Sequence, residues 1–353
     1  MMNTDKTAFI LLEHFKKYPK LQAEDIFKFL HHSVFGCEHL VSSPMSAANY
    51  IEKEAIASEG FLKNDIEELD GDFVRLHLGY LKNGISANTL SKLFFLSSQK
   101  EKGEAALLEE KLNVAERIIS DGVLPLDLSS FSKAALKWKR DGYPALHHSS
   151  VFRSEYHPAY RVISNEYVPF LPLFSQLDKL LENGNVMLAL EGGSASGKST
   201  LGALLEYIYD CALFHMDDFF LQPHQRTAER FNEPGGNVDR ERFLAEVLIP
   251  LSDGKTVKYR PFNCSKMALD KEITAEKKAL TVIEGAYSMH PELRAYYDLS
   301  VFLDISSDLQ KKRIEKRNSE KMAQRFFNEW IPMEKKYFHT FDIKNKCNMV
   351  IEI

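Results

Sequence analysis

The chain has 353 residues, long for one domain and comfortable for two. With 44% hydrophobic and 27% charged residues it has the composition of a globular protein with a real core, and a net charge of −5 argues against a nucleic-acid coat. The four cysteines, Cys37, Cys211, Cys264 and Cys347, are widely spaced with no CxxC, so neither a disulfide framework nor a zinc knuckle is indicated. Residues 1–165 read mainly as helices. Thr4 to Lys17 carries Phe9, Leu12 and Phe15 at helical spacing and ends at Tyr18-Pro19. Ala23 to Val34 follows, with Ile26, Phe27, Leu30 and Val34 on one face. Ser43-Pro44 has the form of an N-cap with proline at the first helical position. Gly103 to Ile119 is a further amphipathic helix, closed by Asp121-Gly122.

Two clusters stand out in this half. One is His31, His32, Glu38 and His39 in HHSVFGCEHLV. On a continuous helix His32 and His39 would share a face and offer a metal or anion site, but Gly36 interrupts, which favours capping or packed core histidines. The other is His147, His148, Arg153, Tyr156, His157, Tyr160 and Arg161. Interleaved arginine and tyrosine suit an anionic ligand, and equally a hinge that packs one domain on another. A catalytic role for His39, His148 and Arg153 requires the fold to bring them together. Pro169 and Pro172 mark the boundary, and Leu171 to Leu181 reads as the helix leading into the second half.

That half is organised around Val186 to Thr200, VMLALEGGSASGKST. An apolar strand runs into Gly192, Gly193, Ser194, Ala195, Ser196, Gly197, Lys198, Ser199 and Thr200, which fits G-x-x-x-x-G-K-[ST] and opens a helix through Leu201, Leu204, Leu205 and Ile208. The bare pattern arises by chance in about one chain of this length in a hundred, so the strand before it and the helix after it carry weight. Glycines let backbone N–H groups approach an anion, and the helix adds the positive end of its dipole. Lys198 is the expected contact to the β- and γ-phosphates of the bound phosphate chain, and the Ser199 hydroxyl the expected Mg²⁺ ligand.

Strands and helices then alternate, as in a parallel α/β sheet. CALFHMDDFF reads as a strand with Asp217 and Asp218 at its carboxyl end, where such sheets place their sites. Because strand side chains alternate, one of the two points into the cleft, as a base or as a helix cap. Leu280 to Glu284 is an apolar strand ending in a carboxylate, which suits Glu284 to a Mg²⁺ site, and Gly285 gives the turn room. Leu299 to Ile305 is a fourth strand. The basic helix DLQKKRIEKRN, with Lys312, Arg313, Lys316 and Arg317, is either a solvated face or a lid over transferring phosphate. NMVIEI completes the sheet.

In this order, the phosphate loop, HMDDFF, VIEGAYS and KKRIEKRN resemble the uridine kinase and phosphoribulokinase group of P-loop kinases, over about residues 171–353. The resemblance implies ATP-dependent phosphorylation of a metabolite hydroxyl, with a nucleoside as first acceptor and a sugar or a pantothenate-like acid as alternatives. Asp217 aligns with the family's catalytic aspartate, Glu284 with its Mg²⁺-linked glutamate, and Arg313 and Arg317 with its lid arginines at a spacing one residue longer than usual. On the acceptor side Phe231 matches. Asn232 stands where an aspartate holds ribose hydroxyls, Phe262 replaces a tyrosine and Asn263 an aspartate; Asp218 completes the substrate set. The alternative outside the enzyme class is a nucleotide switch whose helical half binds a partner.

The fold expected is therefore α/β: a P-loop kinase domain with a mostly parallel sheet over 166–353, preceded by a mainly α-helical domain over 1–165. The N-terminal MMNTDKTAFILLEHFKKYPK lacks a long uncharged core, and no apolar run reaches membrane-spanning length. The expectation is a cytoplasmic protein acting on a small molecule, with no nucleic-acid or membrane partner.

Overall fold

The structure is a computed structural model that describes residues 3–37, 43–100 and 103–353. Two compact units divide the chain, Met1–Ser175 and Gln176–Ile353.

The first unit is built on helices α1 (Asn3–Lys17), α2 (Ala23–Phe35), α3 (Pro44–Ala57), α4 (Ala87–Ser98), α5 (Ala105–Ser120), α6 (Leu128–Arg140) and α7 (Ser150–Tyr156). Helix α2 is the hub. Asp25 through Val34 are all buried, so it is enclosed on every side rather than along one stripe. Phe27, Phe29 and Leu30 join Leu108, Leu112, Phe131 and Trp138 in one core. Gly36 ends α2 at φ 68°, so no helical face extends from His32 towards residue 39. Glu38 and His39 lie outside the described residues. His31 packs its ring 4.7 Å from that of Phe35 and 6.0 Å from Trp138, as a core histidine.

The helical expectation misses a small antiparallel sheet of β1 (Ile66–Glu68), β2 (Phe73–His77) and β3 (Tyr160–Ser164). The two outer strands pair on β2, with Ile66 opposite Leu76 and Tyr160 opposite His77. These strands of three to five residues lack a long alternating pattern, and β2 is buried at every position, so period-2 hydrophobicity gives no signal. The sheet brings His148 and Tyr160 of the 147–161 cluster into one hydrogen-bonded group with Asp25, whereas His147, Arg153 and His157 stay exposed.

The second unit carries a five-stranded parallel sheet. Its strands are β4 (Val186–Gly192), β5 (Ala212–His215), β6 (Leu280–Glu284), β7 (Leu299–Asp304) and β8 (Met349–Glu352), in the order β8-β7-β4-β6-β5. Every pairing is parallel, with Glu284 opposite Leu190 on one side and His215 on the other. The central strands β4 and β6 are buried throughout, which is why they read as continuous apolar runs; the edge strand β5 alternates. Helix α8 (Leu171–Leu181) precedes β4 and helix α9 (Lys198–Tyr209) follows it. The last crossover, from β7 to β8, carries α10 (Ser307–Arg317), α11 (Glu320–Arg325) and α12 (Ile331–Thr340). Two short antiparallel pairs, Val257–Tyr259 with Ile273–Ala275 and Phe262–Asn263 with Ala268–Leu269, form the insertion between β5 and β6.

Candidate active site at the carboxyl ends of the parallel strands

Strand β4 ends in a turn that only glycine fits. Gly192 has φ 145°, and a Cβ there would stand 2.6 Å from the Leu303 carbonyl oxygen. The loop continues through Ala195 in the left-handed region at φ 62° to Gly197 at φ 103°, the residue before α9. Among the described residues no side chain caps this helix, so its first N–H groups face the loop without intrahelical acceptors. The buried Ser196 hydroxyl also has no partner. Lys198 folds back and donates to the carbonyls of Gly192 (2.8 Å) and Gly193 (2.9 Å). Spare donors, a helix dipole and one ammonium group within a loop this tight suit a chain of phosphates.

Beside the loop, the Ser199 hydroxyl donates to Glu284 Oε1 at 3.1 Å. His215 Nδ1 lies 2.6 Å from the same oxygen. The hydrogen bond to Glu284 raises the His215 imidazole above its ordinary value, against the opposing effect of burial. A hydroxyl and a carboxylate at this separation are hard oxygen ligands of the kind a divalent cation such as Mg²⁺ accepts. No group of three or more His, Cys, Asp or Glu side chains forms a metal cage among the described residues; a cation here would share its shell with phosphate and water. Gly285, at φ 142°, brings the chain against Met216, whose Cβ would lie 2.6 Å from a Cβ at that position. This close approach holds Glu284 beside the segment that carries Asp217.

The aspartate pair corrects one expectation. Strand β5 stops at His215, and Met216–Phe219 form a 3-10 turn, so strand alternation does not decide between the two. The turn separates them instead. Asp218 accepts a hydrogen bond from the Tyr259 hydroxyl at 3.1 Å, and its carbonyl accepts one from Arg242 at 3.0 Å. Asp217 makes no hydrogen bond with any described residue; it keeps an exposed surface while protein surrounds it, as on a cleft floor. That desolvation raises its carboxyl, Lys198 partly offsets the rise, and Glu284 adds to it.

The two expected lid arginines part company. Arg313 on α10 donates to the carbonyls of Ala195 (3.1 Å) and Ser196 (3.4 Å). Arg317, one turn on, is exposed with its guanidinium 5.7 Å from the centre of the Phe326 ring. On the acceptor side Phe231 is half-buried and Asn232 exposed, its carbonyl accepting from Lys336 at 2.7 Å. Phe262 is buried beneath Arg226, 5.5 Å from ring centre to guanidinium. The Asn263 amide is committed to its own turn: it donates to Asp270 (3.0 Å) and accepts from the N–H groups of Ser265 (3.0 Å) and Lys266 (3.1 Å).

Sequence reasoning passed over two carboxylates that hold the loop. Glu334 on α12 takes the Ser194 N–H at 3.0 Å and its hydroxyl at 2.6 Å. Gln310 on α10 donates to the Ser194 carbonyl at 2.8 Å. Burial raises the Glu334 carboxyl. Glu191, fully buried, accepts from the N–H groups of Gly192 (2.8 Å) and Met289 (3.0 Å) and from the Tyr337 hydroxyl (3.0 Å). Burial pushes its carboxyl up to about 7. The one available signal for Glu191 was an acidic residue inside an otherwise apolar strand; Glu334 gave none.

Residues 187–325 match the family model described as Phosphoribulokinase / Uridine kinase family. Solved structures similar to the chain include one titled "Structure of a Possible Uridine Kinase from Bacillus stearothermophilus", with 19% identity over 51% of this chain and 98% of that one, at a TM-score of 0.38. Another is D-glycerate 3-kinase from Cryptococcus neoformans var. grubii, with 14% identity over 51% of this chain and 92% of that one, at a TM-score of 0.39. No curated protein matches the chain. The family match over residues 187–325 and the loop-bearing parallel sheet agree: the C-terminal unit has the P-loop kinase fold and resembles the phosphoribulokinase and uridine kinase family.

Proposed function

We propose that the C-terminal unit is an ATP-dependent kinase that phosphorylates a hydroxyl of a small metabolite, with a nucleoside as the first acceptor to test. The observation that carries this reading is the convergence of Lys198, Ser199, Glu284 and the unpaired Asp217 around one loop. The loop from Gly192 to Thr200 would cradle the phosphates, and Ser199 with Glu284 would hold Mg²⁺, which neutralises phosphate charge when bound. Asp217 orients the acceptor hydroxyl and takes its proton; its raised carboxyl makes it a stronger base than a solvated aspartate. Lys198 and Arg313 face the charge of the phosphoryl group in transit, and Arg317 joins them only if α10 shifts. The two units are proposed to be separate functional domains.

A second reading keeps the chemistry and changes the acceptor to a sugar or a pantothenate-like acid. It is favoured by the acceptor side: Asn263 is spent on its own turn and Phe262 is buried under Arg226. The test is product formation from Mg·ATP with a panel of nucleosides, sugars and vitamin precursors. Acceptor-dependent ADP release with a phosphorylated product supports the kinase. Slow hydrolysis that no metabolite stimulates would instead favour a nucleotide switch. If Asp217→Asn keeps wild-type turnover, the assigned base is wrong.

A further inference from the structure

The cluster at residues 147–161 has no part in the kinase chemistry, yet in the fold it becomes an ordered chain of hydrogen bonds inside the first unit. His148 Nδ1 lies 2.8 Å from Asp25 Oδ1 on α2, and His148 Nε2 lies 2.6 Å from the Tyr160 hydroxyl at the start of β3. The proton positions follow from the surroundings. Burial alone would raise the Asp25 carboxyl, but hydrogen bonds from His148 and Ser149 outweigh it and lower it, so Asp25 is an ionised acceptor. Burial pushes the His148 imidazole down to about 4, so it is neutral at pH 7. A neutral imidazole has one N–H, and that N–H faces Asp25. Nε2 is therefore bare, and the Tyr160 O–H donates to it. A hydroxyl donating to a histidine that a carboxylate orients is the arrangement by which side-chain hydroxyls are activated.

Tyr160 also borders a recess. The Arg75 guanidinium carbon stands 4.7 Å from the centre of its ring, and the His77 and His32 rings lie edge-on at 5.6 and 6.0 Å. His77 is 3% exposed, and its Nε2, 3.7 Å from Asp65 Oδ1, has no hydrogen-bond partner among the described residues. Lys63 also lines the recess, 4.1 Å from the centre of the Tyr18 ring and without an ion pair among the described residues. Around it, among the described residues, Lys17 and Arg75 pair with the carboxylates Asp65 and Glu67, and Lys63 adds a third cation. The enclosed space is about 10 Å³, room for one oxygen-sized group. Exposed Phe61 stacks at 3.9 Å on His157, which is held at φ 44°, and both line the recess.

We propose that the first unit carries a second, acid–base site, in which Tyr160, backed by His148 and Asp25, exchanges a proton with a small oxyanion-bearing ligand whose oxygen sits against Lys63 and Arg75. The proton balance closes if the two transfers are coupled: as the Tyr160 proton passes to His148 Nε2, the Tyr160 oxygen takes one from an O–H or C–H bond of the ligand, so no free phenolate forms. The imidazolium faces ionised Asp25 and the ligand's new negative charge faces Lys63 and Arg75; reversal returns both protons. Arg153, which the sequence grouped with His148, is exposed and outside this chain of hydrogen bonds, whereas His148 is buried.

The test uses the full-length protein at pH 7.5 and N-acetylimidazole, which transfers acetyl to a phenol oxygen as imidazole leaves. Mass spectrometry reads each tyrosine. Tyr160 should react at least tenfold faster than exposed Tyr50 and Tyr207, and His148→Gln should remove that excess while leaving Tyr207 unchanged. Acetate and inorganic phosphate are the two ligand probes. Protection by acetate assigns a carboxylate, protection by phosphate assigns a phosphate, and protection by neither overturns the ligand half. Tyr160 reacting no faster than Tyr207, or indifferent to His148→Gln, overturns the relay. Because His148→Gln can unfold this core, ¹⁵N NMR of the wild-type ring provides a measurement that needs no variant. The proposal requires Nδ1–H with bare Nε2, and the other tautomer overturns it.

Discussion

The two units handle buried charge in opposite ways. In the C-terminal unit, charge gathers where parallel strands end, and the groups that matter are left incompletely paired: among the described residues Asp217 has no hydrogen bond and the Ser196 hydroxyl no partner, and Lys198 rests on two carbonyls. In the N-terminal unit, the charges gathered around Arg75 lie inside the core and are paired with one another, although His77 Nε2 there has no hydrogen-bond partner among the described residues. Arg75, 1% exposed, donates to Glu67 at 3.1 Å and to His32 at 3.3 Å, and Glu67 also meets His14 Nδ1 at 3.1 Å. Unpaired charge at a cleft is poised to meet a ligand, whereas paired charge in a core is held in place by its partners and is costly to disturb. Substitutions should therefore cost activity in one unit and stability in the other.

The largest effect expected is on turnover. Lys198→Ala should lower phosphoryl transfer by roughly a thousandfold or more, about 4 kcal/mol of barrier, while urea unfolding stays near wild type. Equal loss of stability would erase the contrast. Next comes Arg75→Met. It strands the buried Glu67 carboxylate, and breaking such a pair costs about 3–5 kcal/mol. The chain has two tryptophans, Trp138 in the first unit and Trp330 in the second, so fluorescence of Trp330→Phe and Trp138→Phe backgrounds reports each unit alone. The Arg75 effect should appear in the Trp138 signal.

Acid sharpens the same comparison. Burial pushes His148 and His77 down to about 4 and lowers His14 as well. The unfolded chain, titrating near 6.5, then binds more protons than the folded one between those values. Their contribution is complete above pH 6.5 and is lost as pH falls towards 4, roughly 3 kcal/mol for His148. In the second unit His290, also pushed down to about 4, acts in the same sense. His215 is raised by its Glu284 hydrogen bond, so its contribution is present at low pH and lost as pH rises through its folded value. The Trp138 transition should therefore move further on acidification than the Trp330 transition; the reverse order would contradict the assigned burial. The smallest effect is at Glu334. Replacing it with alanine frees Ser194 and should raise KM for ATP about tenfold, roughly 1.4 kcal/mol, with kcat less affected. Tighter ATP binding would mean that the carboxylate competes with phosphate rather than shaping the loop.

What could be read in the sequence divides along the same line. The loop, strands β4 and β6, helix α9 and the Ser199–Glu284 pairing were legible because each depends on a short contiguous pattern or on strand ends that a parallel sheet must align. The 3-10 turn at Asp217 was not, because HMDDFF continues the apolar run of β5 past the point where the strand stops. The Asp25–His148–Tyr160 chain joins residues 123 and 12 positions apart. No local spacing encodes such a meeting, and the short strands that produce it carry no alternation. Glu334, 140 residues from Ser194, is hidden for the same reason.

Glu191 bears on how the protein is made. Its partners Met289 and Tyr337 follow it by 98 and 146 residues. During synthesis from the N-terminus, the phosphate loop emerges long before the groups that seat it. In the nascent chain the Glu191 carboxylate stays hydrated, and its burial must wait until α12 leaves the ribosome; long-range closures of this kind are slow. The first unit's core lies wholly within residues up to Ser175, and it should be able to form while the second unit is still being translated.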